Sequence, residues 1–347
     1  MTANTTDVDT TSDPGRDDDE AGSSAQRARR ARLRTIATNV GVSLFTLWVI
    51  SVVTFAALNV RPPIDIARGF LGREASPAAL EAYVEEEGLD RPAVVRYGDW
   101  LGGFVQGDWG ETPGSGRPVR GEVLPRFWLT ILLAVFSLAI ALPLSVGLGV
   151  YMAKRSGTAT DLSLLTATVV VASMPEFVIG IGLVALFGVA LGWFPVDSTA
   201  LVFGTFFTKA MAFVLPTFTL VLAMIPHISR IARASAREAL SAPYVQAAAL
   251  RGLSTRRITW DHAMRNAAVP LVNAVAINVV YLLAGVIVVE NVFAFPGVGE
   301  QLVQAIGSGD SVTVLAIAVV MGAMFIVISL VADMLVVYFN PLLKASG

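Results

Sequence analysis

The stretch RIARASAREALSAPYVQAAALRGLSTRRITWDHAMRNA, Arg230 to Ala267, lies between two apolar runs and decides how the chain is read. Seven Arg in it face two acids, Glu238 and Asp261. Positive charge of this density between hydrophobic spans marks a loop on the cytoplasmic side of a membrane. Pro243 opens a helix inside the loop, and its small residues Ala247, Ala248 and Ala249 lead to a break at Gly252. Such a structured, basic loop is expected to be a docking surface for another protein.

On either side the chain is apolar. Of 347 residues 54% are hydrophobic, and runs of 18 or more apolar residues recur, so the bilayer is the solvent. Six spans are expected, at about 35–60, 127–153, 162–192, 211–229, 268–290 and 312–338. Arg27, Arg29, Arg30, Arg32 and Arg34 precede the first span and hold the amino terminus inside. That span is too long for a signal-peptide core and is read as retained. Lys154 and Arg155 place the next short turn inside, whereas 193–210 and 291–311 carry almost no basic charge. Both termini are therefore expected in the cytoplasm of a multi-pass plasma-membrane protein. Residues 1–34 read as an acidic, then basic, tail, with 1–26 unstructured, and 339–347 as a second cytoplasmic tail. Residues 61–126 read as an extracytoplasmic segment, with a helix from Ser76 to Glu87 capped by Ser76, started by Pro77 and ended at Gly88.

Several functions are excluded by what the chain lacks. None of its three Lys follows a Gly, so it has no phosphate-cradling P-loop. Two His, His227 and His262, cannot form an H-E-x-x-H zinc site, and with no Cys there is no thiolate ligand, thiol nucleophile or disulfide. No G-x-S-x-G elbow is present. Gly180, Gly182 and Ala185 match G-x-G-x-x-A, but within an apolar span and without the required acidic residue. The chain is not expected to be an enzyme, to hold a cofactor or metal, or to bind nucleic acid.

Four ordered motifs carry a resemblance. Gln246-Ala247-Ala248, three residues and then Gly252 resemble the E-A-A…G loop of ABC importer permeases, with Gln in place of Glu. Tyr244-Val245, Gly252-Leu253-Ser254, Arg256-Arg257, His262-Ala263, Arg265-Asn266-Ala267 and Pro270 resemble more narrowly the B-type permease of the dipeptide/oligopeptide/nickel branch. Val289-Glu290-Asn291-Val292-Phe293 with Phe295-Pro296-Gly297-Val298-Gly299 resembles its V-E-x-x-F-x-x-P-G-x-G. Gly88-Leu89-Asp90-Arg91-Pro92 with Gly107-Asp108-Trp109-Gly110, and Ser173, Pro175 and Phe177, complete the likeness, which runs from about residue 30 to 340. Arg61-Pro62-Pro63-Ile64-Asp65 departs from the branch's P-G-D-P.

The resemblance implies an all-α membrane protein of six transmembrane helices, a permease core over 127–338, and a cytoplasmic coupling helix between the fourth and fifth spans. It implies transport of peptides or related small solutes driven by ATP and Mg bound in partner subunits. The implied partners are a second permease, two ATP-binding subunits and an extracytoplasmic solute-binding protein. Tyr244, Gln246, Ala247, Ala248, Gly252, Leu253, Arg256 and Arg257 are the expected ATPase-coupling residues. Pro175, Glu176, Glu290, Phe293, Pro296 and Gly297 are the candidates for a translocation path or gate. A charge at mid-bilayer costs at least about 2.5 kcal/mol, so Glu176 is either a path residue or a structural carboxyl. Asp333 reads as structural and His227 as interfacial. A nickel-complex permease and a self-sufficient secondary transporter are the alternatives, and the second lacks the inverted repeats and paired intramembrane charges it would need.

Overall fold

The computed structural model describes residues 38–60, 62–72, 74–113 and 115–339. The expected tail over 1–34 and all of the tail over 339–347 except Phe339, which ends a helix, fall outside the described residues, as do the side chains of His262, Arg265, Asn266 and Asp333. Five helices among the described residues are long and apolar enough to cross a membrane, and a bent pair makes up a sixth span.

The first span is α1 (Thr38–Leu58). Three short helices follow: α2 (Pro63–Leu71), α3 (Pro77–Glu86) and α4 (Ala93–Gln106). The Ser76 hydroxyl accepts the Ala79 N–H at 3.3 Å, which is the expected cap. A ladder of rings, Phe55, Tyr97, Trp100, Phe104 and Trp109, runs from α1 along α4 with centroids 5.0 to 6.2 Å apart. Ser51 and Tyr97 share a hydrogen bond of 2.7 Å, so the segment is fastened to α1 by packing and by one polar contact. A two-residue hairpin, β1 (Glu111–Thr112) and β2 (Arg117–Pro118), pairs antiparallel and leads directly into α5 (Val119–Lys154). The second span's helix thus takes the last eight residues of the expected polar segment, because Val119 and Val123 are already buried against Val298, Ala316 and Ile317.

Helices α5 and α9 (Phe206–Ser241) are each 36 residues long. At 1.5 Å per residue each rises about 54 Å, well past a hydrocarbon core of about 30 Å. Small residues recur every fourth position on α5, at Ser137, Ala141, Ser145 and Gly149, and all are buried. A Cβ on Gly149 would lie 2.6 Å from the Ala232 Cβ and 2.6 Å from the Ser229 carbonyl of α9. Such spacing lets two backbones approach, and it is how helices associate where no water drives them together. The central core lies between α5, α9 and α12 (Met264–Val292), with Leu133, Leu220, Ile228, Val286, Phe293 and Phe295 closed off from solvent.

The third span departs from the expected single helix over 162–192. It divides into α6 (Ala159–Ala172) and α7 (Glu176–Leu183), the latter continued by a π-helical turn over Val184–Ala190, and the two halves bend by 101°. Pro175 removes an N–H and keeps Met174 from the helical region, which is the physical cause of the break. After the short α8 (Ala200–Phe203), α9 continues unbroken through Pro216 and Pro226 to Ser241. The expected loop over 230–267 is consequently shorter: α9 takes its first twelve residues and α12 its last four. What is left is α10 (Pro243–Leu250), the single turn α11 (Thr255–Arg257) and a π-helical turn over Ile258–Ala263. Helices α13 (Val298–Ser308) and α14 (Ser311–Phe339) complete the chain, so the segments near one end of the bundle are the hairpin, α8 and α13, and near the other α10 and α11.

Candidate coupling and gate sites

Helix α10 sits across the ends of three spans. Its Val245 and Ala248 are buried with Val150 and Ala153 of α5, Ala236 and Ala239 of α9, and Met264 and Ala267 of α12. The outward side carries Tyr244, Gln246, Ala247 and Leu250, the last 90% exposed. Ala248 therefore serves close internal packing, and Ala247 leaves the outer face flat. Gly252 ends the helix at φ +77° with nothing near its missing Cβ, so backbone hand rather than space requires glycine there. Ser254 then caps the next turn by accepting the Arg257 N–H, Leu253 is half-buried, and Arg256 and Arg257 are exposed beside Trp260. Seven of the eight expected coupling residues are thus exposed or partly exposed, and Ala248 is buried beneath α10.

One arginine of the basic stretch has a different place. Arg233 lies on α9 and holds Asp161 of α6 through two bonds, Nε at 2.7 Å and Nη2 at 2.6 Å. Asp161 also accepts the Gly157 N–H at 3.0 Å, which fixes the turn into α6. Nothing in the local sequence links positions 161 and 233, so sequence reasoning misses this buried tie between α6 and α9.

The carboxyl of Glu290 is enclosed, at 0% exposure. Its Oε1 accepts the Thr130 hydroxyl at 2.6 Å, and its Oε2 accepts the Gly299 N–H at 2.7 Å and the Glu300 N–H at 3.3 Å. Thr130 Oγ1 in turn accepts the Val298 N–H at 3.0 Å. Helix α13 starts after Gly297, which has no side chain to cap it, so Glu290 and Thr130 supply from other helices the acceptors its first turn lacks. A Cβ at Gly297 would overlap the Glu290 carboxyl, which explains the glycine in the Pro296-Gly297 turn. Phe293 and Phe295 are buried, the latter edge-on to Phe213 at 5.1 Å, and Ala294 between them takes φ +44°. Glu300 is further tied to Arg126 of α5 at 2.7 Å. On the connection before α8, Asp197 is held below the usual carboxylate range by the hydroxyl and N–H of Thr199, while Ser198 N–H bonds the Phe293 carbonyl at 2.8 Å.

Pro175 and Glu176 are not part of that cluster. Pro175 is exposed at the break, and Glu176, half-buried, opens α7 with its Oε1 3.3 Å from where a Cβ on Gly285 of α12 would be. Glu176 has no hydrogen bond or ion pair among the described residues, and none joins it to Glu290. The six candidates thus form two places along α12, one at the break and one at its end.

Known proteins resemble the chain over most of its length. Residues 145–345 match the family described as binding-protein-dependent transport system inner membrane component, and residues 32–122 match the N-terminal component of the same systems. The chain is 32% identical over 299 residues to the glutathione transport system permease protein GsiC of Escherichia coli (strain K12), covering 86% of this chain and 95% of that protein. It is equally identical over 274 residues, 78% of this chain and 88% of the relative, to a probable peptide ABC transporter permease protein, y4tP, of Sinorhizobium fredii. The solved inward-facing MetNI methionine ABC transporter shares the fold at a TM-score of 0.50 and 18% identity, over 63% of this chain and 96% of that one. By sequence and architecture, the chain belongs to the binding-protein-dependent transport system inner membrane components, the permease subunits of ABC transporters.

Proposed function

We propose that the chain is one permease half of an importer for peptides or peptide-like solutes, driven by two ATP-binding partner subunits that hold ATP and Mg. The substrate class rests on its relatives, glutathione and peptide permeases, each about a third identical to it. The remaining partners are a second permease, a solute-binding protein on the hairpin side and the lipid bilayer, with the basic end and both termini in the cytoplasm.

The observation that carries the mechanism is the seat of α10. Its inner face is packed against α5, α9 and α12, while Tyr244, Gln246 and Leu250 face outward. A force applied to that outer face reaches three spans at once. Closure of the ATPase subunits would rock these spans, Glu176 would meet the solute at the break in the third span, and the Phe293–Gly297 turn would act as the gate on the far side. The test is ATP-linked uptake by cells carrying Gly252→Trp or Tyr244→Asp. Uptake is expected to be lost while membrane insertion is retained; undiminished uptake in both variants would refute the docking role.

A further inference from the structure

The two halves of the third span are anchored in different ways. In α7, a Cβ on Gly180 would lie 3.2 Å from the Phe293 ring, and Leu183 and Phe187 pack against the central core. Helix α6 is apolar along most of its length, yet its two buried residues, Asp161 and Thr168, are both polar. Leu162 and Val169 are exposed. The Thr168 hydroxyl donates to the Leu165 carbonyl of its own helix and so ties α6 to nothing else. What fastens α6 by directed bonds is Arg233 of α9, with Nε on one carboxylate oxygen of Asp161 and Nη2 on the other. Among the described residues no other side-chain hydrogen bond joins α6 to another helix. The two side chains are 5% and 18% exposed, and such a two-pronged contact fixes orientation as well as distance.

Arg233 occupies a particular place on α9. It follows Ala232, which meets Gly149 of α5, and precedes Ala236 and Ala239, which pack with Val245 and Ala248 of α10. The same two turns of α9 therefore hold α5, α6 and α10. A buried ion pair adds little net stability over apolar packing, because both charges lose their water, but it can fix which arrangement the packed elements adopt. We propose that Asp161 and Arg233 are positioning residues of the transport cycle, pinning α6 to the end of α9 that carries α10. A displacement of α10 then swings α6 about the break at Pro175, while α7 stays with the core. The 101° bend supplies the hinge, and Glu176, the first residue of α7, lies at its pivot. Neither member of the pair has to touch the solute or an ATP-binding subunit. The inference rests on the reading that ATP-binding partners act on α10.

The chain has no cysteine, so Ser163→Cys on α6 and Val189→Cys after α7 place spin labels at two exposed positions on either side of the break. In the transporter assembled with cysteine-free partner subunits in nanodiscs, pulsed electron paramagnetic resonance gives the distance between the labels. It is measured without nucleotide and after trapping with ADP and vanadate, and ATP hydrolysis is followed in parallel. With the pair intact the distance is expected to shift on trapping. Asp161→Asn, which can still accept the Gly157 N–H, and Arg233→Gln should hydrolyse ATP at close to the natural rate and lose the shift. Arg233→Lys, which keeps the charge, should retain part of it. A pair that served folding alone would lower assembly and hydrolysis together and leave the shift intact in whatever assembled. An undiminished shift in Asp161→Asn and Arg233→Gln, or no shift with the natural pair while ATP is hydrolysed, would overturn the pin and leave the transport reading standing. If the assembly hydrolyses no ATP, the ATP-driven reading falls. The pin then stands if breaking the pair broadens the nucleotide-free distance distribution, and falls if that distribution is unchanged.

Discussion

Glu290 shows how much one carboxyl does when its position is fixed by two other elements. Near the end of α12, it caps α13 and bonds α5 through Thr130, all without contact with solvent. In the sequence only the V-E-x-x-F-x-x-P-G-x-G pattern marks it, and the pattern does not say that the acid faces inward. Thr130 carries no signal at all, since one hydroxyl in an apolar run has no distinguishing neighbour. Replacing Glu290 by Ala should destabilise the detergent-solubilised chain by about 1–3 kcal/mol for each buried N–H left without an acceptor. Glu290→Gln, which retains one oxygen, should lose less. Thermal unfolding followed by loss of helix would reveal the order, and equal melting of the two variants would contradict the capping role.

At the scale of the element, the helices are legible in the sequence and the break in the third span is not. Apolar length alone locates the spans, because a backbone in hydrocarbon has to satisfy its own hydrogen bonds. The Ser76 cap is legible because one hydroxyl before a proline has a single local use. The 101° bend at Ser173–Pro175 is not, since a proline inside an apolar run scarcely alters its mean hydropathy. The reach of α9 into the basic stretch is hidden because Arg and Ala are both good helix formers, so charge does not mark where the helix ends. The small residues at 137, 141, 145 and 149 are a readable signal that a four-residue count would find. The close approach at Gly149 predicts that Gly149→Leu disrupts the α5–α9 seam, at a cost of about 1–3 kcal/mol from overpacking. Gly147→Leu is the control, since no atom lies within 4 Å of a Cβ there. Fluorescence-detected size-exclusion chromatography should show a monodisperse peak for Gly147→Leu and a diminished or aggregated one for Gly149→Leu. Identical profiles would mean that the seam tolerates bulk.

The whole molecule is two ends joined by long helices. At one end α10 is held against α5, α9 and α12; at the other the same α5 and α12 meet at the Glu290 cluster. Because α5 spans both ends as one helix, a displacement of α10 has a continuous path to the turn at Phe293–Gly297. The family is legible from its motifs, while the substrate is not. The Glu290 cluster is assembled from residues as far apart as Thr130 and Val298, a proximity that only the fold creates. The most direct test of the coupling claim is cross-linking from α10 itself. The natural chain has no cysteine, so Gln246→Cys places one exposed thiol on the outer face. In membranes holding the assembled transporter, a short bismaleimide should join that thiol to an ATP-binding subunit, and nucleotide should change the yield. A thiol at position 246 that reacts with impermeant maleimide from outside intact cells, and forms no such adduct, would contradict the account.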